Sequence, residues 1–246
     1  GYVTGILGAM LLALIFAFFT VSLRAPQVII ALGINLFASG LTGYLYRLIF
    51  GLSNSTPKID PAPSVYIPVL SDLPGIGKVL FYHPVLIYVS VFLVILIWWF
   101  IYKTPNGLIL RATGENARAV NTVGMNVIRI RYLAVVIGGG FSGLAGAYLS
   151  TTNLNVFMEN MTGGNGWIAV AIVIFGNYQP FGILFAAIAF GAAQAGQLRL
   201  QNLGLNIPKE FLIMIPYLLT LFSLCVFGRW SKAPKELCIP YSKDNQ

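Results

Sequence analysis

Seven long apolar runs constrain this sequence more than any motif in it. They are Gly5 to Val21, Val28 to Ile49, Pro84 to Tyr102, Tyr132 to Thr151, Gly166 to Gly176, Phe181 to Leu198 and Phe211 to Phe227. A hydrocarbon core about 30 Å thick needs about 20 apolar residues per helical crossing. The fifth run, GWIAVAIVIFG, falls short of that, so it is either extended by its flanks or a broken helix. Composition agrees with a membrane solvent: 57% of residues are hydrophobic and 9% charged, with a mean hydropathy of +0.81, where soluble domains carry roughly a quarter charged residues. The runs are continuous rather than alternating. Because lipid admits only helices or closed barrels, the expected fold is an all-α polytopic bundle of about seven spans, forming one transmembrane domain over residues 1–246.

The net charge of +8 follows topology rather than a nucleic-acid face. If Lys103 to Arg131 is cytoplasmic, seven spans put Ser22 to Pro26, Asn177 to Pro180 and the tail 228–246 on the same side. Those segments hold Arg24, Lys103, Arg111, Arg118, Arg129, Arg131, Arg229, Lys232, Lys235 and Lys243, whereas the opposite side holds Arg47, Lys58, Lys78, Arg199 and Lys209. The excess of basic residues makes the first side cytoplasmic and the C-terminus with it. Trp98 and Trp99 then fall near the inner interface, where amphipathic rings are favoured. Gly1 would lie outside and directly before a span, so an N-terminally incomplete chain is expected. Cys225, in the last span, and Cys238, in the tail, are expected to be reduced.

Between spans, SLRAPQ reads as a tight turn in which Pro26 begins the next helix. The outer loop Gly51 to His83 carries apolar side chains between prolines and is expected to pack rather than dangle. The polar run RATGENARAVNTVGMN is the largest interruption of apolar sequence on the basic side. Asn106 and Gly107 read as a turn. Gly114 with Glu115 would open a short helix, the acid favoured near its positive end, and Gly124 would stop it. Ala117, Ala119, Val120 and Val123 then form a small-residue face suited to contact with another protein. A solvated connecting loop is the plainer reading.

No catalytic or metal-binding constellation emerges. His83 is the single histidine, the acids are scattered, and the spacing of Gly138, Gly140 and Gly143 lacks the strand and helix start that a dinucleotide fingerprint needs. Gly139 and Gly143 instead make a small-xxx-small pair for close helix approach, a habit that Gly182, Gly191 and Gly196 extend. The spans carry neutral polar groups. Asn35 lies about eight residues into its span, about 12 Å deep at 1.5 Å per residue, and Gln194 and Gln197 share a helix face three residues apart. Either they bond between helices or they line a pathway for a polar, uncharged solute. Phe157, Glu159, Asn160 and Trp167 cluster around the outer loop NVFMENMTGGNGW, as contacts for solute entry or for an external partner.

The stretches TPNGLILRATGENARAVNTVGMNVIRIRYLAVVIGGGFSGLAGAYLS, GNGWIAVAIVIFGNYQPFG and MIPYLLTLFSL, with IPVLSDLPGIGKVLF and the tail APKELCIPY, resemble the permease subunits of ABC-type nucleoside importers. These belong to the wider ribose and branched-chain amino acid permease superfamily, and the likeness is to the shorter of two paralogous permeases, which have further N-terminal spans. The resemblance implies a coupling helix in the loop 103–131, with Gly114, Glu115, Asn116, Ala117, Arg118 and Ala119 seated against an ABC ATPase subunit. It also implies a second permease and a substrate-binding lipoprotein outside a bacterial cytoplasmic membrane. This chain would carry no cofactor and no catalytic residue; ATP and Mg would be held by the ATPase subunits. Ribose-type sugars or branched-chain amino acids are the alternative cargo, and a secondary transporter the alternative mechanism.

Overall fold

The structure is a computed structural model, and it describes residues 1–51, 64–66, 82–203, 208–227 and 232–241. Lys58, Lys78, Arg229, Lys243 and the apolar outer segment 67–81 lie outside the described residues. The described helices are α1 (Tyr2–Ala17), α2 (Gln27–Phe50), α3 (Val85–Lys103), α4 (Pro105–Glu115), α5 (Ala117–Thr122), α6 (Val127–Tyr148), α7 (Asn165–Phe175), α8 (Pro180–Asn202) and α9 (Lys209–Phe227). π-helical turns extend α1 through Phe18–Ser22 and α6 through Leu149–Asn153. Every apolar run is helical. Among the described residues, 5 helical stretches are long and apolar enough to cross a membrane: Tyr2–Ser22, Gln27–Phe50, Val85–Lys103, Val127–Asn153 and Pro180–Asn202. The short fifth run is a separate 11-residue helix, α7, which at 1.5 Å per residue covers about half of a 30 Å core.

Strand structure among the described residues is confined to the loop between α2 and α3. There β1 (Ser64–Tyr66) pairs antiparallel with β2 (Tyr82–Pro84), with Val65 opposite His83.

The chain divides into two compact units, one of Gly1–Phe92, Pro105–Thr162 and Glu236–Gln246, the other of Leu93–Thr104 and Gly163–Lys235. The first is organised by an antiparallel seam between α1 and α6. Thr151 Oγ1 lies 2.8 Å from Tyr2 Oη at one end of the seam, and Ser22 hydrogen-bonds Tyr132 at the other. Between them, Gly5, Ala9 and Ala13 face Gly139, Gly143 and Ala147, each set spaced by four residues. A Cβ on Gly143 would lie 2.7 Å from Ala9 Cβ and nearer still to the carbonyl oxygen of Gly5. Glycine is required there by backbone proximity. The small-xxx-small reading of Gly139 and Gly143 therefore holds, and its partner is α1.

At the far end of α2, Arg47 donates two hydrogen bonds to Glu159, from Nε to Oε1 at 2.8 Å and from Nη2 to Oε2 at 2.9 Å. The rings of Tyr46 and Phe157 lie beside them, 5.2 Å apart. This clip ties the segment after α6 to α2, and the guanidinium holds the Glu159 carboxyl below its ordinary value of 4.5.

The second unit is built on a tight hairpin. Gly176, then Asn177 and Tyr178 in left-handed conformations (φ 55° and 56°), turn α7 into α8, where Pro180 supplies a first helical residue that needs no N–H partner. Gly176 and Gly182 touch backbone to backbone, so a Cβ on Gly182 would overlap the Gly176 carbonyl. Gly191 and Gly196 depart from the expected dense packing: a Cβ on either meets nothing within 4 Å. Trp98 of α3 packs its ring 5.6 Å from that of Phe181 at the start of α8.

Two measurements follow from these contacts. Gly143→Ala should destabilise the fold by about 1–3 kcal/mol through overpacking, whereas Gly146→Ala, where a Cβ meets nothing, should stay within about 0.5 kcal/mol; thermal unfolding in detergent distinguishes them. Because the native contact lowers the pKa of Glu159, the clip is at full strength above pH 4.5 and is lost as pH falls through the lower native value. Amide exchange across residues 154–162 should rise over that acidic interval, and Glu159→Gln should show the same rise already at pH 7.

Candidate functional site

The polar run between α3 and α6 folds as two short helices. Pro105 opens α4, which carries Asn106 and Gly107 in its first turn rather than as a separate turn. Gly114 and Glu115 close this helix instead of opening the next, because Asn116 is the stronger start signal. Its side chain accepts a hydrogen bond from Ala119 N at 3.1 Å and caps α5. Gly124, with φ +85°, provides the stop after α5, and Asn126 caps α6 in the same way through Arg129 N at 3.1 Å.

The small-residue face divides. Ala117 (0% exposed) and Val120 turn inward and join Val127 in a core supported by Ile109, Ala112, Ile130 and Tyr241. Ala117 thus supports the loop from within, while the outward surface carries Glu115, Asn116, Arg118 and Ala119. Val123 is 80% exposed and Met125 38% exposed on the same short segment. Neither Glu115 nor Arg118 enters an ion pair among the described residues.

Residues of the tail return to this loop. Glu236 N donates to the Gly114 carbonyl at 2.9 Å. Arg131 donates from Nη1 to the Ile239 carbonyl at 2.7 Å and from Nη2 to Glu236 Oε2 at 3.3 Å. The Tyr241 ring centroid lies 5.8 Å from the Arg131 guanidinium carbon. Sequence reasoning counted Arg131 as topological charge and missed this contact, since nothing in local spacing links it to a residue more than a hundred positions away.

A second feature lies wholly within the other unit. A cavity of about 310 Å³ opens among α7, α8 and α9, with Asn165, Gln194, Gln197 and Tyr217 as its polar lining and Ile168 and Ile213 among its apolar walls. Gln194 Nε2 donates to Asn165 Oδ1 at 3.4 Å. The two glutamines do share one face and one cavity. Asn165, Pro216 and Tyr217, also in the lining, were not singled out from the sequence, where neither depth nor charge marks them. Asn35 lies in the first unit, exposed on α2.

The cluster of Phe157, Glu159, Asn160 and Trp167 separates as well. Phe157 and Glu159 are engaged by α2 through the ring contact and the ion pair. Asn160 is exposed in a left-handed turn, φ 56°, and Trp167 stands 67% exposed on α7 in the other unit. Among the described residues no group of His, Cys, Asp and Glu is placed to hold a metal.

Comparison with known proteins gives these features a common setting. The chain is 36% identical over 238 residues to the guanosine ABC transporter permease protein NupQ of Bacillus subtilis, covering 95% of this chain and 74% of that one. It is 33% identical to the nucleoside ABC transporter permease protein NupC of Lactococcus lactis, over 91% of this chain and 71% of that one. It is also 38% identical to the putative glucose ABC transporter permease protein TsgC13 of Haloferax volcanii, over 83% of this chain and 62% of that one. No solved structure matches it significantly. Residues 1–224 match the family described as branched-chain amino acid transport system / permease component. With its apolar helices and a match that runs through nearly all of them, the chain belongs to this permease family and is a multi-pass transport component rather than an enzyme.

Proposed function

We propose that this chain is the transmembrane permease subunit of an ATP-driven importer of nucleosides, paired with a second permease and supplied by an external substrate-binding lipoprotein in a bacterial cytoplasmic membrane. The observation that carries the cargo is the chemistry of the cavity among α7, α8 and α9. Three carboxamides each offer a donor and an acceptor, which is what the edges of a nucleobase require. Tyr217 adds an aromatic face of the kind on which bases stack. Among the described residues no charged one lines the cavity, which suits a neutral solute better than a zwitterionic amino acid. Similarity to permeases named for guanosine and nucleosides supports the same reading. The relative named for glucose keeps a monosaccharide as the second reading, since hydroxyls would also satisfy the amides.

ATP and Mg belong to partner ATPase subunits, and the loop 103–131, with the tail, lies on the cytoplasmic side. The outward surface of α5 and the turn after it, Arg118, Ala119, Val123 and Met125, is the contact for the ATPase. Exposed apolar side chains beside a charge that enters no ion pair among the described residues make a core-and-rim surface suited to a protein partner. Glu115 and Asn116 flank it, and Gly114 and Ala117 hold its shape. Secondary transport is disfavoured because the buried polar residues among those described are the hydroxyls Thr20, Thr113 and Ser223, whereas proton or ion coupling uses ionisable groups at depth.

Uptake of labelled guanosine and glucose by the complete transporter tests the cargo. Guanosine should be taken up in an ATP-dependent manner, and Gln194→Leu with Gln197→Leu should lower that uptake about tenfold or more, as expected when amide contacts to a solute are lost. Glucose uptake without guanosine uptake would replace the nucleoside reading. For the cytoplasmic surface, Val123→Asp should lower the amount of ATPase that copurifies by about tenfold or more, because an unpaired charge would be buried at the contact. Unchanged copurification would remove Val123 from the interface.

A further inference from the structure

The return of the tail to the loop 103–131 has no role in the function so far described, yet its contacts are placed in a particular way. The loop has two non-helical breaks. One is at Asn116, between α4 and α5, and the other spans Val123 to Asn126, between α5 and α6. A six-residue helix such as α5 cannot hold itself rigid through its own hydrogen bonds. The tail touches the chain before the first break, through Glu236 N to the Gly114 carbonyl. It touches α6 beyond the second break, where Arg131 binds the Ile239 carbonyl and the Glu236 carboxylate. Between these contacts, Tyr241 packs on the core that Ala117 and Val120 of α5 form with Val127 of α6.

These contacts are chemically suited to fixing geometry. The carbonyl of Gly114 is one of those left unpaired at the end of a helix, and the tail supplies its donor. Arg131 uses its planar fork to hold two acceptors of the tail at once, a task that a lysine ammonium does poorly. Its side chain and that of Glu236 retain 16% and 22% exposure, so water and salt screen this pair less than a surface pair. The Tyr241 ring packs against the same guanidinium.

We infer that Glu236–Tyr241 is a strap that locks α4, α5 and the start of α6 into one body, with Arg131 as its positioning residue, so that displacement of α5 by the ATPase moves α6 instead of bending the loop. This rests on the proposed coupling role of α5 and adds a residue and a segment to it. Transport per ATP hydrolysed depends on the strap, whereas binding of the ATPase does not, because the strap holds Gly114, Arg131 and the core beneath α5 while Val123 and Met125 stand exposed.

The test uses the complete transporter in proteoliposomes, with copurified ATPase, hydrolysis rate and guanosine transported per ATP all measured. Arg131→Ala and Glu236→Gln should each retain the ATPase within about twofold and lower the transport ratio about tenfold, the effect expected for a lost charge-assisted contact. The double variant should be no worse than the poorer single one, as for two members of one interaction. Arg131→Lys, which keeps charge but not the fork, should fall between, and it serves if Arg131→Ala does not fold. Glu236→Asp should recover most of the ratio. An unchanged ratio in Arg131→Ala or Arg131→Lys overturns the strap, as does loss of ATPase in parallel with transport, which would make the tail an assembly element. Cross-linking from Val123→Cys in a Cys225→Ser, Cys238→Ser background reports separately on α5. Failure to reach the ATPase overturns the coupling reading itself, whereas efficient cross-linking with an unchanged ratio overturns the strap alone.

Discussion

The close approach of α1 and α6 is the constraint on which the first unit depends. In lipid, apolar side chains gain nothing by leaving one hydrocarbon environment for another, so helices associate through packing and hydrogen bonds. Gly5, Ala9 and Ala13 against Gly139, Gly143 and Ala147 bring two backbones close enough for many weak dispersion contacts to add up. Polar contacts at both ends, Tyr2 with Thr151 and Ser22 with Tyr132, set the register that packing alone would leave free to slide. By contrast, α2 has no buried residue and is held by its end, through Arg47 and Tyr46.

That seam gives the loop between α3 and α6 something to act on. α6 begins at the Asn126 cap, a few residues from the exposed surface of α5, and continues directly into the α1 contact. A displacement delivered to its first turn is therefore carried by two helices packed as one, since close-packed interiors transmit strain rather than absorb it. The weak points in such a lever are the breaks before and after α5, and Arg131 and the tail bridge both.

The legible part of this arrangement was the part written in periodicity and composition. Continuous apolar runs became helices, the short fifth run became the half-length α7, and the spacing of Gly139 and Gly143 announced a helix seam. What the sequence concealed was the choice among competing local signals and every distant partner. Glu115 suits a helix start by charge, but Asn116 offers a direct hydrogen bond and won. Ala117 and Val120 look like a contact face with Ala119 and Val123 until helix geometry turns two inward and two outward. Phe157 and Glu159 looked available to an external partner because Tyr46 and Arg47, which engage them, lie more than a hundred residues earlier. Gly191 and Gly196 share the composition of a packing seam but have no facing backbone among the described residues, so small size alone does not create a contact.

For the proposed cargo, the second unit meets a different requirement. A pathway for a polar solute must offer hydrogen bonds without fixing a charge in hydrocarbon, where an unpaired ion is far costlier than an amide. Carboxamides meet it, since each can donate or accept and so bond a neighbour as readily as a solute, as Gln194 bonds Asn165. The exchange of that amide–amide bond for bonds to a solute is nearly balanced in energy, because one neutral hydrogen bond replaces another of similar strength. Such balance favours passage over retention. A cavity with charged walls would bind more tightly and release more slowly, and a transporter gains nothing from holding its cargo.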